Sequence, residues 1–370
     1  MSALDHSPGG DYASAALPTW IVGAGGMLAG ELARLLDDHP TLCLEGVVSR
    51  TPGVPLGDLH GHLASSLVTV DNEQGLGAMG AALEREDGRL ALFMALPHGH
   101  SAAVWAHMRE GLGAAAERAL VVDLSADYRL ASPAAHRAAY GADAPDAVER
   151  EAFCYGLPEL WPGPVREARR TAAAGCFATA LQLAAVPAAA AGLLEVDTPW
   201  VFHGVTGSSG SGVTPRPGTH HPHRHGNLFA YALDGHRHEA ELSQALAALS
   251  LAPPIRFVPH SGPFARGIHM SAVLPLAGGT TVEEARAAYT ERFADAPFVE
   301  VLDEGVPELR KVCGSNRASL AVAVRERSLL VLVALDNMIK GGAGQGLQCM
   351  NLMAGFEEHA GLARSGAGVA

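Results

Sequence analysis

No stretch of the 370-residue chain is apolar for long enough to span a bilayer, which excludes a helical membrane protein. Cysteine is scarce. The five cysteines are odd in number and form no C-x-x-C pair, so neither a disulfide framework nor a zinc ribbon fits, and a reducing cytoplasm is the expected compartment. Basic residues are also few: 26 Lys and Arg stand against 39 Asp and Glu, and a formal charge of −13 opposes non-specific nucleic-acid binding. The opening M-S-A-L-D-H-S-P-G-G-D-Y-A-S-A-A-L-P lacks the basic residues and continuous apolar core of a signal or transit segment, and residues 1–18 read as a disordered extension. What is present is 48% hydrophobic and 18% charged residues in a length above one average domain. That describes two packed globular units whose partner is a small molecule.

The segment T-W-I-V-G-A-G-G-M-L-A-G-E-L-A-R-L-L, from Thr19, reads as a strand, a glycine turn and a helix with Leu28, Leu32 and Leu36 on one face. A second strand over residues 42–50 follows at the spacing of a right-handed βαβ crossover. Two more strands are expected to end at Pro97 and Ser125, each after an Ala-rich helical segment. Nearly continuous apolar strands alternating with helices indicate an α/β unit with a buried parallel sheet. Beyond Cys176 the segments W-V-F-H-G-V-T, I-H-M-S-A-V-L-P-L, S-L-A-V-A-V-R and L-L-V-L-V-A-L-D are strands with fewer helices between them, and R-E-R-S joins the last two as a hairpin. A mixed α+β unit follows. The tail carries Leu347, Met350 and Met353 at helical spacing, a terminal helix that packs back on the body. The expected division is residues 19–175, 176–340 and 341–370.

The turn G-A-G-G-M-L-A-G lets backbone amides and a helix N-terminus approach a pyrophosphate. At the end of the second strand, where an NAD site usually offers a carboxylate, this chain has Ser49 and Arg50. A guanidinium pairs with a 2′-phosphate, so NADP(H) is the favoured cofactor, the competing reading being that Arg50 is a solvated strand end. Cys176 follows Ala172, Ala173, Ala174 and Gly175 at a helix start, where the dipole would lower the thiol from about 8.5. The competing reading is a small buried hydrophobe. Six of the 18 histidines fall in residues 219–242. H-H-P-H-R-H suits a metal-binding tract by composition but lacks a ligand spacing, whereas His236 and His238 head a helix, on alternate sides, and suit acid–base work. Arg129, after the fourth strand, is either an anion clamp or a partner of Asp127. The Gly/Ser loop over residues 205–212 suits close backbone approach or plain flexibility.

Taken together, G-A-G-G-M-L-A-G-E-L, F-M-A-L-P-H-G, V-V-D-L-S-A-D-Y-R-L, Y-G-L-P-E-L, A-G-C-F-A-T-A, V-T-G-S-S-G-S-G, A-Y-A-L-D-G-H-R-H and D-N-M-I-K-G-G-A-G-Q-G-L-Q-C-M-N-L-M-A-G-F resemble, in this order, the N-acetyl-γ-glutamyl-phosphate reductase family, relatives of aspartate-semialdehyde dehydrogenase. The family pattern departs at Ala173, Ala174 and Phe177 around the cysteine and at Met27 in the turn. The resemblance implies a Rossmann-type doubly wound nucleotide-binding domain and a mixed α+β catalytic and dimerisation domain. It implies Cys176 as nucleophile toward an acyl phosphate and His238 as acid/base, with His236 its competitor. Arg129, Tyr231 and Ser125 would hold substrate. Gly23, Gly25, Gly26, Met27, Ser49, Arg50, Pro97, Ser209, Gly210 and Asn337 would hold NADP(H). One subgroup reduces aminoadipyl or glutamyl phosphate on an acidic amino-group carrier protein in lysine or ornithine synthesis, for which Arg216, Arg224 and Arg237 would form a basic rim. A homodimer or homotetramer is implied as well.

Overall fold

The computed structural model describes residues 16–85 and 88–368. Residues 1–15 of the expected extension lie outside them. Leu17 and Pro18 do not belong to an extension: they open strand β1 (Leu17–Val22), and the Leu17 amide donates to Thr41 at 2.8 Å. From β1 the chain enters helix α1 (Met27–Asp37), β2 (Leu42–Val48), α2 (Asn72–Leu83), β3 (Leu90–Met94), α3 (Ser101–Leu112) and β4 (Ala119–Asp123). Short strands β5 (Cys154–Gly156) and β6 (Arg170–Ala173) complete a six-stranded parallel sheet in the order β2-β1-β3-β4-β6-β5. All five residues of β3 are buried, as are those of β4, because helices cover both faces. β3 and β4 end earlier than expected. In β4 the Asp123 carboxylate accepts from the Ser125 amide and hydroxyl, which turns the chain out of the ladder.

The second unit starts with α4 (Cys176–Ala190), which lies on a seven-stranded mixed sheet. Its elements are β7 (Trp200–Thr206), β8 (Phe229–Ala230), α5 (His238–Ala247), β9 (Ile255–Ser261), β10 (Ile268–Pro275), α6 (Val282–Arg292), β11 (Val299–Val301), β12 (Ala318–Arg325) and β13 (Ser328–Leu335), in the sheet order β11-β12-β13-β10-β7-β9-β8. Trp200, Phe202, Met270, Leu274, Val331 and Val333 pack under α4, while Val201 and Val273 on the opposite face stay exposed. The β12–β13 hairpin turns at Glu326 with φ 55°, the left-handed conformation of a two-residue turn. After a π-helical turn at Ile339–Ala343, α7 (Gly344–Ala354) crosses back onto the parallel sheet and packs Leu347, Met350 and Met353 with Leu32, Phe93 and Val122. No helix among the described residues is long and apolar enough to cross a membrane.

Candidate active site

Four chain ends converge where the two sheets meet: the loop after β4, the end of β6 with the first turn of α4, the first turn of α5, and residues 336–343. Cys176 is the first residue of α4, with Gly175 as its extended N-cap. Gly175 lies against three charged or polar side chains. A β-carbon there would fall 2.6 Å from His238 Nε2, 2.8 Å from Glu241 Oε1 and 2.9 Å from Arg129 Nη1. On the other side, a β-carbon at Gly341 would fall 2.6 Å from Cys176 Cβ. Glycine at both positions is therefore a condition for seating the cysteine.

Arg129 is 6% exposed and does not pair with Asp127. Its Nε donates to Ala173 O at 2.8 Å, Nη2 to Leu124 O at 3.1 Å and Nη1 to Glu241 Oε1 at 3.4 Å. Asp127 is spent on the amides of Gly99 and Ala102 at the start of α3. Glu241, fully buried, also accepts from Tyr155 at 2.8 Å and from the Gly175 amide at 3.0 Å. Sequence reasoning passed over Glu241. Its only trace was the three-residue spacing from His238, which places both on one face of α5. Ser125 is satisfied within its own loop, donating to Asp123 and accepting from the Asp127 amide at 3.1 Å.

His236 precedes α5 and His238 is its first residue. The expectation that they point to opposite sides does not hold: the rings lie 4.7 Å apart, and His236 Nδ1 accepts the His238 amide at 3.2 Å. Phe177, Tyr231 and Phe257 surround His236, with Tyr231 at 5.8 Å. His238 is 3% exposed, its Nε2 is 3.9 Å from Glu241 Oε1, and Nδ1 has no partner among the described residues. Burial, then the neighbouring imidazole of His236 and the cations Arg237 and Arg129, hold His238 well below the ordinary histidine value; burial and Arg237 take His236 down to about 4. The pair is neutral at pH 7 and able to accept a proton.

The thiol departs from expectation. Burial pushes Cys176 above its ordinary value, outweighing Arg237, the Phe177 amide and Arg129, which pull it down. The helix end acts as expected but is the smaller effect. At rest the pair is a thiol beside a neutral imidazole.

A pH consequence follows for stability. An imidazole at about 4 in the folded protein and near 6.5 unfolded leaves the unfolded chain with more bound protons between those values, so stability falls as pH drops from 6.5 through 4. Asp123, raised by burial to about 6, contributes the opposite slope over roughly pH 4–6, so the difference between variants isolates the histidine. His236→Asn keeps an acceptor for the His238 amide and is expected to flatten the fall in urea midpoint between pH 6.5 and 4. Parallel profiles for the two proteins would contradict the buried neutral state.

The nucleotide side is built around α1. Gly23 has φ +106° and a β-carbon there would strike Ala95 O at 2.5 Å, so the turn requires glycine. Gly26 caps α1 with no side-chain hydrogen bond, and Gly25 has open space above it. Uncapped amides beside open space fit a dinucleotide pyrophosphate. Met27, exposed, begins the helix. At the end of β2, Arg50 is exposed and makes no ion pair among the described residues, while Ser49 Oγ accepts the Thr51 amide at 3.1 Å. Pro97 is exposed in the loop after β3. In the second unit, Asn337 Oδ1 accepts the Gly267 amide at 2.7 Å and its Nδ2 donates to Ser209 Oγ at 2.9 Å, with Gly210 beside them. Arg266, which carries no local sequence signal, fastens this loop to the first unit by donating to Glu31 of α1 at 2.8 Å and to Asp336 at 3.2 Å. The histidines of residues 220–225 form pairs, His220 with His223 at 5.8 Å and His221 with His225 at 5.4 Å, and no group of three potential ligands assembles among the described residues.

Residues 19–168 match the family model described as semialdehyde dehydrogenase, NAD binding domain, and residues 176–337 match semialdehyde dehydrogenase, dimerisation domain. An N-acetyl-gamma-glutamyl-phosphate reductase of Methanosarcina mazei is 39% identical over 346 residues, covering 92% of this chain and 96% of the relative. One from Corynebacterium glutamicum is 36% identical over 360 residues, covering 94% and 97%. The chain belongs to the N-acetyl-gamma-glutamyl-phosphate reductase family. Among solved structures, this reductase-family fold is shared with aspartate semialdehyde dehydrogenase II of Vibrio cholerae complexed with ASA (TM-score 0.64, 12% identity, 92% of this chain and 99% of that one). It is shared equally with the Candida albicans aspartate semialdehyde dehydrogenase with NADP (TM-score 0.64, 15% identity, the same coverage). The family is that of semialdehyde-dehydrogenase-type oxidoreductases using a nicotinamide nucleotide.

Proposed function

We propose that the protein reduces N-acetyl-γ-glutamyl phosphate to N-acetylglutamate 5-semialdehyde and phosphate with NADPH, a step of arginine biosynthesis in the cytoplasm. The observation that carries the reading is Cys176 at the start of α4 with His238 Nε2, Glu241 and Arg129 packed around its N-cap. His238 takes the thiol proton as the sulfur attacks the acyl carbonyl; the C–S bond forms as the C–O bond to phosphate breaks. The resulting imidazolium, paired with Glu241, faces the developing oxyanion. A nicotinamide nucleotide, which the Gly23 to Gly26 turn, Arg50, Ser209 and Asn337 would hold, would supply hydride to the thioester carbonyl. When the C–S bond breaks and the aldehyde leaves, His238 returns its proton to the sulfur. Arg129 is a positioning residue held by Glu241, and Tyr231 stands over the pocket beside His236. The exposed Val201 and Val273 face of the seven-stranded sheet supports a homodimer, read by light scattering.

The test is NADPH formation at 340 nm from NADP, phosphate and N-acetylglutamate semialdehyde, with the aminoadipate homologue alongside. Phosphate-dependent turnover of the acetylglutamate compound is expected, and silence with it sinks the reading. The solitary cation at Arg50 adds a second expectation. NADPH is preferred over NADH, and Arg50→Ala lowers that preference by about 10- to 100-fold, the worth of a charge-assisted phosphate contact. Equal use of both nucleotides by the unaltered protein would remove Arg50 from the 2′-phosphate.

A further inference from the structure

Arg224 is a buried cation without an anion. It ends the short turn His221–Arg224 and is 7% exposed, in a region where the sequence suggested only rim charge. Its Nη1 donates to Ser261 Oγ at 2.5 Å, at the end of β9, and the guanidinium lies 5.9 Å from the centre of the Phe229 ring. Nε and Nη2 are buried and donate to nothing among the described residues. A buried guanidinium with unspent donors is costly unless an anion completes it. The two free donors are the side-on edge of the guanidinium, whose parallel N–H bonds match the two oxygens of a carboxylate.

Its position relative to the reacting sulfur follows from Tyr231. The Tyr231 amide donates to Pro259 O at 3.1 Å, two residues before Ser261 on the same strand β9, so Tyr231 and Arg224 are fastened to neighbouring positions of one strand. The charges that act on the phenol are, in decreasing order, Cys176, Arg237 and Arg224, after burial. Those that act on Cys176 include Arg237 and Arg129. Arg237, exposed, bears on both the phenol and Cys176, Arg129 is committed to Glu241, and Arg224 bears on the Tyr231 phenol. The proposed substrate has two anionic ends: the phosphate on the acyl carbon, and an α-carboxylate with three carbons between.

We propose that Arg224 binds the α-carboxylate of the substrate through its Nε and Nη2 edge, and so sets the preference for an amino-acid-derived acyl phosphate over an uncharged one. This rests on the acyl-phosphate reductase reading above. The test uses the reverse reaction and two aldehydes that differ only in that group, N-acetylglutamate semialdehyde and 4-acetamidobutanal, on the unaltered enzyme, Arg224→Gln and Arg224→Lys.

The unaltered enzyme is expected to show a KM about 10- to 100-fold higher for 4-acetamidobutanal. Arg224→Gln raises the KM for the semialdehyde by the same factor, leaving its kcat and the KM for 4-acetamidobutanal nearly unchanged. Arg224→Lys, a charge without the fork, falls between and carries the test if the glutamine variant does not fold. Three outcomes overturn the inference: both aldehydes weakened equally in the variants, a rise in the KM for phosphate instead, or no change. If the unaltered enzyme does not turn over the semialdehyde at all, the reaction class is wrong; if it does and only the variants disagree, Arg224 alone is misassigned.

Discussion

Cys176→Ser is expected to abolish reductase turnover, by on the order of 10⁴-fold or more in kcat, while NADP still binds and the melting temperature is nearly unchanged. The thiol already sits above its ordinary value because its surroundings desolvate it, and a hydroxyl in its place would be far harder to ionise with only neutral imidazoles, His238 and His236, to take its proton. The nucleotide site is left intact because α1 is separated from Cys176 by the 339–343 turn, where Gly341 touches the cysteine and Gly342 faces Leu28. The measurement is steady-state turnover in both directions beside NADP titration by calorimetry. Substantial turnover in the serine variant would take Cys176 out of the chemistry.

Glu241→Ala is expected to cost about 3–5 kcal/mol of stability, the usual penalty for orphaning one member of a buried ion pair. Arg129 would keep its two backbone carbonyl acceptors but lose its one ion-pair partner among the described residues, and the Gly175 amide and Tyr155 hydroxyl would lose their acceptor in the same substitution. Glu241→Gln, which keeps an acceptor oxygen, is expected to lose less stability and to cost activity, because the imidazolium of His238 loses its counter-charge. Urea denaturation of both variants reads the first effect. An alanine variant within about 1 kcal/mol of the unaltered protein would mean that water replaces the carboxylate.

Much of the architecture was readable because its signals are local. β3 and β4 are continuous apolar runs, the glycine turn stands between a strand and a helix, and the Arg325 to Ser328 hairpin is bracketed by two alternating strands. β9 was not readable: I-R-F-V-P-H-S contains a proline and polar residues, and it becomes a strand by pairing with β7 from Trp200 to Thr206. β5, β6 and β8 are too short to carry a period of their own. Within the site, Cys176, His236, His238 and Arg129 were picked out by residue type and family resemblance. Glu241 and Arg266 were not, because each gains its meaning from partners 112 and 235 residues away.

The sequence by itself determined the order of the elements, the glycine-lined entry to α1 and the placement of a cysteine at a helix start, all consequences of propensity and periodicity over a few residues. Tertiary structure alone decided the charge states. Whether Cys176 is raised or lowered, whether Arg129 finds Asp127 or Glu241, and whether Arg224 is solvated rim or a buried cation all turn on desolvation and on neighbours from distant segments. Local pattern carries neither, since burial and Coulomb interactions depend on distances in space and not along the chain.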